Sequence, residues 1–194
     1  DMGYVMLGIS TLTSFGMNAA MFGMVAHGLI TGMLFFVAGS VKERYHTLEI
    51  KRLSGMLVQM PKLGWILGFC AMASLGLPGL AGFWGEFPAI LSAYQPAAGL
   101  NVNVFRVYMV IAAIGTVLAA GYLLWLYQRT AFGEPTAEFA AGHGHDEDIH
   151  DVNKFEWVAW TPLLIAIVVF GVYPQLMFKV LDPAVGVTLK AFGG

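Results

Sequence analysis

Residues 63–96 read LGWILGFCAMASLGLPGLAGFWGEFPAILSAYQP. A helix needs about 20 apolar residues to cross a hydrocarbon core of about 30 Å, and this run exceeds that with Leu77-Pro78-Gly79 near its middle. Proline lacks an N–H and clashes with the preceding turn, and Gly79 and Gly82 withdraw side-chain support, so a single helix is expected to break there. A break at membrane depth leaves backbone groups that protein or water must satisfy. Glu86 follows a few residues on and is the only Lys, Arg, Asp or Glu between residues 63 and 105. Discontinuous helices beside a carboxylate recur at ion pathways in transporters. A plain proline kink is the simpler reading; the nearby acid favours the functional one.

The rest of the chain is the same kind of material. Hydrophobic residues make up 58% and charged residues 11%, with a mean hydropathy of +0.71, whereas about a quarter of a soluble domain is charged. Residues 2–41 hold no Lys, Arg, Asp or Glu. The apolar runs are continuous rather than alternating, which excludes a transmembrane barrel. The expected fold is all-α, a polytopic transmembrane helix bundle with one discontinuous helix. Spans are expected at about 1–13 (the tail of one), 17–40, 63–96, 104–127 and 157–178, the last ending at Gly171-Val172-Tyr173-Pro174. The chain opens on Asp1-Met2-Gly3-Tyr4, already inside a hydrophobic stretch and with no charged leader region, which predicts the C-terminal part of a longer protein.

Short connections rich in Lys and Arg face the cytoplasm. The connection at about 41–62 holds Lys42, Arg44, Lys51, Arg52 and Lys62, and that at about 128–156 adds Arg129 and Lys154. The other face has Arg106, Lys179 and Lys190. If the 63–96 run crosses once, both richer connections share the cytoplasmic side. The segment around Leu48, Ile50 and Leu53 alternates with charges and is expected to lie flat at that interface. Trp65, Trp157 and Trp160 fall near span ends, where aromatic belts form.

His27 and Glu86 are the two ionisable side chains set well inside these runs. A charge in hydrocarbon costs about 2.5–3.5 kcal/mol on insertion scales, so such groups pair, face a wet cavity or carry protons. Proton or ion movement is therefore the first functional expectation. Counting residues from the span ends places His27 near the midplane and Glu86 beyond the break, on the outer half. They read as two stations along a path rather than one contact. Thr31, four residues on from His27, shares its helix face with Met24. That stripe lines a wet file or faces another helix, and a structural hydrogen bond is the rival role for His27. Pro78 and Gly79 are supporting residues through the break.

Other chemistry is not expected in this chain. Gly142-His143-Gly144-His145-Asp146-Glu147-Asp148-Ile149-His150-Asp151 resembles a metal-binding tract in composition, but its glycines and unspaced ligands fit a solvated acidic loop better. The single Cys70 excludes a disulfide within the chain. No Gly-rich phosphate loop, zinc spacing or nucleophile constellation appears, so no metal, redox centre, cofactor site or nucleic-acid partner is expected here.

Several blocks together resemble a known family. Met24-Val25-Ala26-His27-Gly28-Leu29, Lys42-Glu43-Arg44-Tyr45-His46-Thr47 and the block from Leu77 to Phe87 are similar to subunit M of NADH-quinone oxidoreductase, the complex I subunit 4 family of antiporter-like membrane subunits. The opening Met2-Gly3-Tyr4-Val5-Met6-Leu7-Gly8-Ile9 and the closing Gly171-Val172-Tyr173-Pro174 fit as well, in order and without large gaps. The resemblance implies half of an inverted-repeat antiporter-like fold within a longer proton-translocating subunit. It implies that His27 belongs to a central hydrophilic axis and that Glu86 is its terminal station. It also implies a bacterial cytoplasmic membrane, partner membrane subunits including antiporter-like siblings, and NADH, FMN, iron–sulfur clusters and quinone held elsewhere in the complex. Siblings and antiporter homologues usually have Lys where this chain has Glu86. The family usually has His where this chain has Asp1, and its other essential charges lie upstream. The rivals are a subunit of a multi-subunit cation/proton antiporter or energy-converting hydrogenase, and a structural scaffold in which His27 and Glu86 are internally satisfied.

Overall fold

The computed structural model describes residues 2–140 and 149–192, so Asp1 and most of the histidine- and acid-rich stretch lie outside the described residues. The described chain is all-helical: α1 Met2–Ser10, α2 Ser14–Tyr45, α3 Met56–Gln59, α4 Pro61–Ser74, α5 Ala81–Ser92, α6 Val102–Ala131, α7 Lys154–Val172 and α8 Gln175–Ala191. Three of these, α2, α6 and α7, are long and apolar enough to cross a membrane.

α2 is the axis of the bundle. Its 32 residues extend about 48 Å at 1.5 Å per residue, so its ends stand clear of a hydrocarbon core. The Thr13 hydroxyl caps its start by accepting the Gly16 N–H at 3.0 Å, and His46, with φ 53°, turns the chain away at its end. One side of α2 carries Phe22, Ile30, Met33 and Val37, which are buried against Leu63 and Cys70 of α4 and Trp160 and Ile167 of α7. Apolar burial does not hold helices together in lipid as it does in water, so close packing through small residues takes its place. α1 meets α2 at Gly8 and Gly16, where a Cβ on Gly8 would stand 2.6 Å from the Gly16 carbonyl. α2 meets α5 at Gly23 and Gly85, where a Cβ on Gly85 would stand 2.4 Å from the Gly23 Cα.

The 41–62 and 128–156 connections meet on one face of the bundle. Arg52 pairs with Glu138, Gln59 Nε2 donates to the Phe139 carbonyl at 2.5 Å, and the Gly55 N–H reaches the Phe132 carbonyl at 3.2 Å. Beneath them, buried Arg44 holds Glu156 at 2.7 Å, and the Ser40 hydroxyl donates to the same carboxylate at 2.5 Å. Asp151 accepts the Lys62 and Leu63 amides at 3.0 and 3.1 Å, capping α4 from a distant loop. The opposite face is closed by Ala97, whose N–H donates to the Thr11 carbonyl at 2.9 Å.

Three expectations need correction. The 157–178 run is divided: α7 ends at Val172, and after Tyr173-Pro174 a separate helix, α8, begins. Pro174 cannot donate to the preceding turn. α8 then packs Phe178 on Phe22, ring centroids 5.1 Å apart, and Asp182 accepts from Asn18 at 2.6 Å. Trp160 is no belt residue: it is buried in the core, whereas Trp65 is exposed. The 48–53 segment does not lie flat as a unit, because its tight turns bury Leu53 while Leu48 stays exposed.

Candidate functional site

α4 stops at Ser74 and α5 starts at Ala81. Between them the chain turns through Gly76 and Gly79, with φ of 68° and 95°, conformations that an L side chain adopts only with strain. The turn satisfies much of its own backbone. The Leu75, Gly76, Leu77 and Leu80 amides donate to Ala71, Ala73, Met72 and Leu77 carbonyls at 3.0 to 3.4 Å. It is also packed hard from two sides. A Cβ on Gly82 would stand 2.2 Å from the Ala73 carbonyl, and one on Gly171 of α7 would stand 2.2 Å from the Gly79 carbonyl. The Trp84 indole N–H donates to the Gly171 carbonyl at 2.8 Å, fixing α5 to the end of α7.

A small cavity of about 20 Å³ lies where α1, α2, α4 and α5 meet, and it is lined by Tyr4, His27, Ser74 and Glu86 among apolar and small neighbours. That volume has room for about one water. His27 and Glu86, expected at separate stations, thus line the same space. The Gly23–Gly85 contact is the reason. It brings α5 against α2 at that level, four residues before His27 and one before Glu86. The helices are antiparallel there, so the two Cα atoms are offset by about 7.5 Å along the axis at 1.5 Å per residue, with Glu86 nearer the Thr11 face. His27 Nδ1 and Thr31 Oγ1 lie 3.1 Å apart, so the shared face read from their spacing is a direct hydrogen bond. The carboxyl of Glu86 is tucked over the turn, since a Cβ on Gly76 would stand 2.8 Å from its Oε2. Pro78 and Gly79 are exposed at the turn's tip and do not line the cavity.

Sequence reasoning missed Tyr4, Ser74 and Gly76. Tyr4 reads as one more aromatic in an apolar run, but its hydroxyl lies 2.9 Å from Thr116 of α6. Only its polar tip could have signalled a role. Among the described residues no group of three or more His, Cys, Asp and Glu side chains could hold a metal. The arrangement can hold and pass protons: a carboxyl, an imidazole and two hydroxyl-bearing side chains around a water-sized space between apolar helices.

The family model for "NADH:quinone oxidoreductase/Mrp antiporter, TM" matches residues 1–124. The chain is 37% identical over 184 residues to the NADH-quinone oxidoreductase subunit M of Rhodobacter capsulatus, covering 95% of this chain and 33% of that protein. It therefore spans about a third of the length of such curated relatives. A chain of respiratory complex I from Thermus thermophilus, solved with bound NADH, superposes with a TM-score of 0.83 at 29% identity, covering 98% of this chain and 37% of that one. A chain of the Mrp complex from Dietzia sp. DQ12-45-1b shares the fold, with a TM-score of 0.77 at 18% identity over 94% of this chain and 39% of that one. With apolar membrane-length helices and a family match over well more than half its residues, the chain is an integral membrane protein that belongs to the transmembrane family of NADH:quinone oxidoreductase and Mrp antiporter subunits.

Proposed function

We propose that this chain is the C-terminal portion of a proton-translocating subunit of a bacterial NADH-quinone oxidoreductase, seated in the cytoplasmic membrane beside antiporter-like sibling subunits. The observation that carries the reading is the placement of Glu86 and His27 around one water-sized cavity next to the turn between α4 and α5. In this reading α4 and α5 are the two halves of one discontinuous span, and the described helices form half of an inverted repeat. The relatives named subunit M support membership of the oxidoreductase. The acid at residue 86, where antiporter homologues usually carry Lys, favours it over the antiporter alternative.

The chemistry proposed for this chain is proton handling alone, with NADH, flavin, iron–sulfur clusters and quinone bound by other subunits. A proton held on His27, oriented by the Thr31 hydroxyl, passes through the cavity to the Glu86 carboxylate. The transfer neutralises both groups, and each charge held out of water is costly in a low-dielectric site. The test is Glu86→Gln, and separately His27→Ala, in the full-length subunit within the assembled complex, assayed in vesicles for NADH-driven proton uptake and quinone reduction. Both activities are expected to fall together, by about a hundredfold or more, as for loss of a positioned proton-transfer group. Wild-type rates for both in an assembled complex would make the two residues structural and end the proposal.

A further inference from the structure

Away from the proton site, α2 and α6 leave a cleft of about 300 Å³ between them, lined by Leu34, Phe35 and Ala38 on one side and Leu123 and Leu126 on the other. Along α2 its lining runs from Thr31 to Val41, about 15 Å at 1.5 Å per residue. That is half of a hydrocarbon core of about 30 Å, the depth of one leaflet. Water finds little to hold it there. The two hydroxyls in the lining are already engaged: Thr31 Oγ1 lies 3.1 Å from His27 Nδ1, and the Thr130 hydroxyl donates to the Leu126 carbonyl at 2.9 Å. Apolar cavities without free polar partners stay dry. A helix about 10 Å across would fill on the order of 1,200 Å³ over the same length, so the cleft does not take one. A single extended hydrocarbon chain is the shape that remains.

At the end of the cleft nearest the 41–62 connection, a second cleft of about 1000 Å³ adjoins it, and Leu48, Ile50 and Leu53 line both. The second is polar where the first is not: Lys51, Gln128 and Arg129 line it beside Trp125. Arg129 stands over the Trp125 ring, 5.6 Å from its centroid, and aromatic rings of this kind collect at the headgroup level of a membrane. Glu49 is the one acid in that lining, and it interacts with Arg52, which also pairs with Glu138. Lys51 and Arg129 are exposed, and neither is ion-paired among the described residues. We infer that the two clefts together bind one anionic phospholipid of the cytoplasmic leaflet. Its phosphate sits at Lys51 and Arg129, and one acyl chain runs along α2 toward Thr31. The site needs the membrane fold but not the proton role of Glu86.

The probe is phosphatidylglycerol carrying a diazirine at the end of one acyl chain, added to the purified complex that contains the full-length subunit and activated by light. Labelled peptides are then identified by mass spectrometry. Label is expected on residues 31–38 of α2 and 123–126 of α6, and an excess of unlabelled phosphatidylglycerol should remove it where phosphatidylcholine does not. Lys51→Gln and Arg129→Gln are each expected to raise the lipid concentration for half-maximal labelling about fivefold, the worth of one basic residue at an anionic membrane surface. Ala38→Trp, which fills the cleft, is expected to abolish labelling of both segments; the two charge variants test the site by themselves if the tryptophan prevents assembly. Equal competition by phosphatidylcholine, or labelling indifferent to both charge changes, would make the groove ordinary lipid-facing surface and overturn the site. Absence of label from both segments in the unsubstituted complex would mean that other helices of the assembly cover the groove, and that too overturns it.

Discussion

A methyl group added at Gly76 would stand 2.8 Å from Glu86 Oε2, on a backbone at φ 68°. Alanine in that left-handed conformation costs about 1 kcal/mol, and the flexible carboxyl can swing aside. Gly76→Ala is therefore expected to leave an assembled complex whose Glu86 is displaced, with proton uptake reduced several-fold. At Gly85 the added methyl meets backbone, the Gly23 Cα at 2.4 Å, and neither helix can yield without separating. Gly85→Ala is expected to abolish assembly, seen as loss of the subunit from the purified complex. Gly39→Ala, with nothing within 4 Å of its Cβ, is the control and is expected to assemble and pump normally. Equal behaviour of the three would refute the close-packing account of the site. The ionisable residues that line the candidate cavity stand out in the sequence because Glu86 and His27 interrupt long apolar runs, and Thr31 because helical spacing alone sets its distance from His27. Gly76 does not, since one glycine among many carries no mark of its dihedral angle. Tyr4 does not, since its meaning depends on Thr116, 112 positions away.

Helices that gain little from apolar burial in lipid need other fixings, and the ends of α2, α4 and α7 have one. Arg44 is 2% exposed and donates to both oxygens of Glu156, to the Ser40 carbonyl at 3.1 Å and to the His150 carbonyl at 2.6 Å. Asp151, next along, caps α4. The network sets the height of α4 against α2, and hence of the 75–80 turn beside His27. Removing one partner of a buried ion pair strands the other, at about 3–5 kcal/mol. Arg44→Ala is expected to lower the melting temperature of the full-length subunit in detergent markedly, whereas Arg44→Met combined with Glu156→Leu recovers most of the loss. A melting temperature unchanged by Arg44→Ala would show the pair to be dispensable. Charge counts in the sequence put the two connections on one face, and the structure joins them there. The partners themselves, Arg44 with Glu156 and Asp151 with α4, could not be read, because a pairing across about a hundred residues depends on how the helices fold back. The sequence reading also carried the last span to about 178, four residues into α8, because hydropathy runs on through Tyr173-Pro174 and only the backbone turns.

At the scale of the whole molecule, sidedness would give the proposed proton path its direction. The face made by residues 41–62 and 128–156 carries seven Lys and Arg against three on the other, so the positive-inside rule places it in the cytoplasm. On that orientation Glu86, nearer the Thr11 face than His27, lies toward the outside, the side to which the proposed function has protons delivered. Glu49 and Gln128 are exposed on the first face, and Asn101, the N-cap of α6, is exposed on the second. The native Cys70 is fully buried and should stay silent toward a membrane-impermeant maleimide. The variants Glu49→Cys, Gln128→Cys and Asn101→Cys, each compared with the unsubstituted full-length subunit as the labelling background, can therefore be labelled in right-side-out and inside-out vesicles. Glu49→Cys and Gln128→Cys are expected to react in inside-out vesicles, and Asn101→Cys in right-side-out ones. Labelling of all three from one side would mean that α6 does not cross. The reverse pattern would keep the fold but invert it, placing Glu86 on the cytoplasmic side of His27, where it could take protons up but not release them outward.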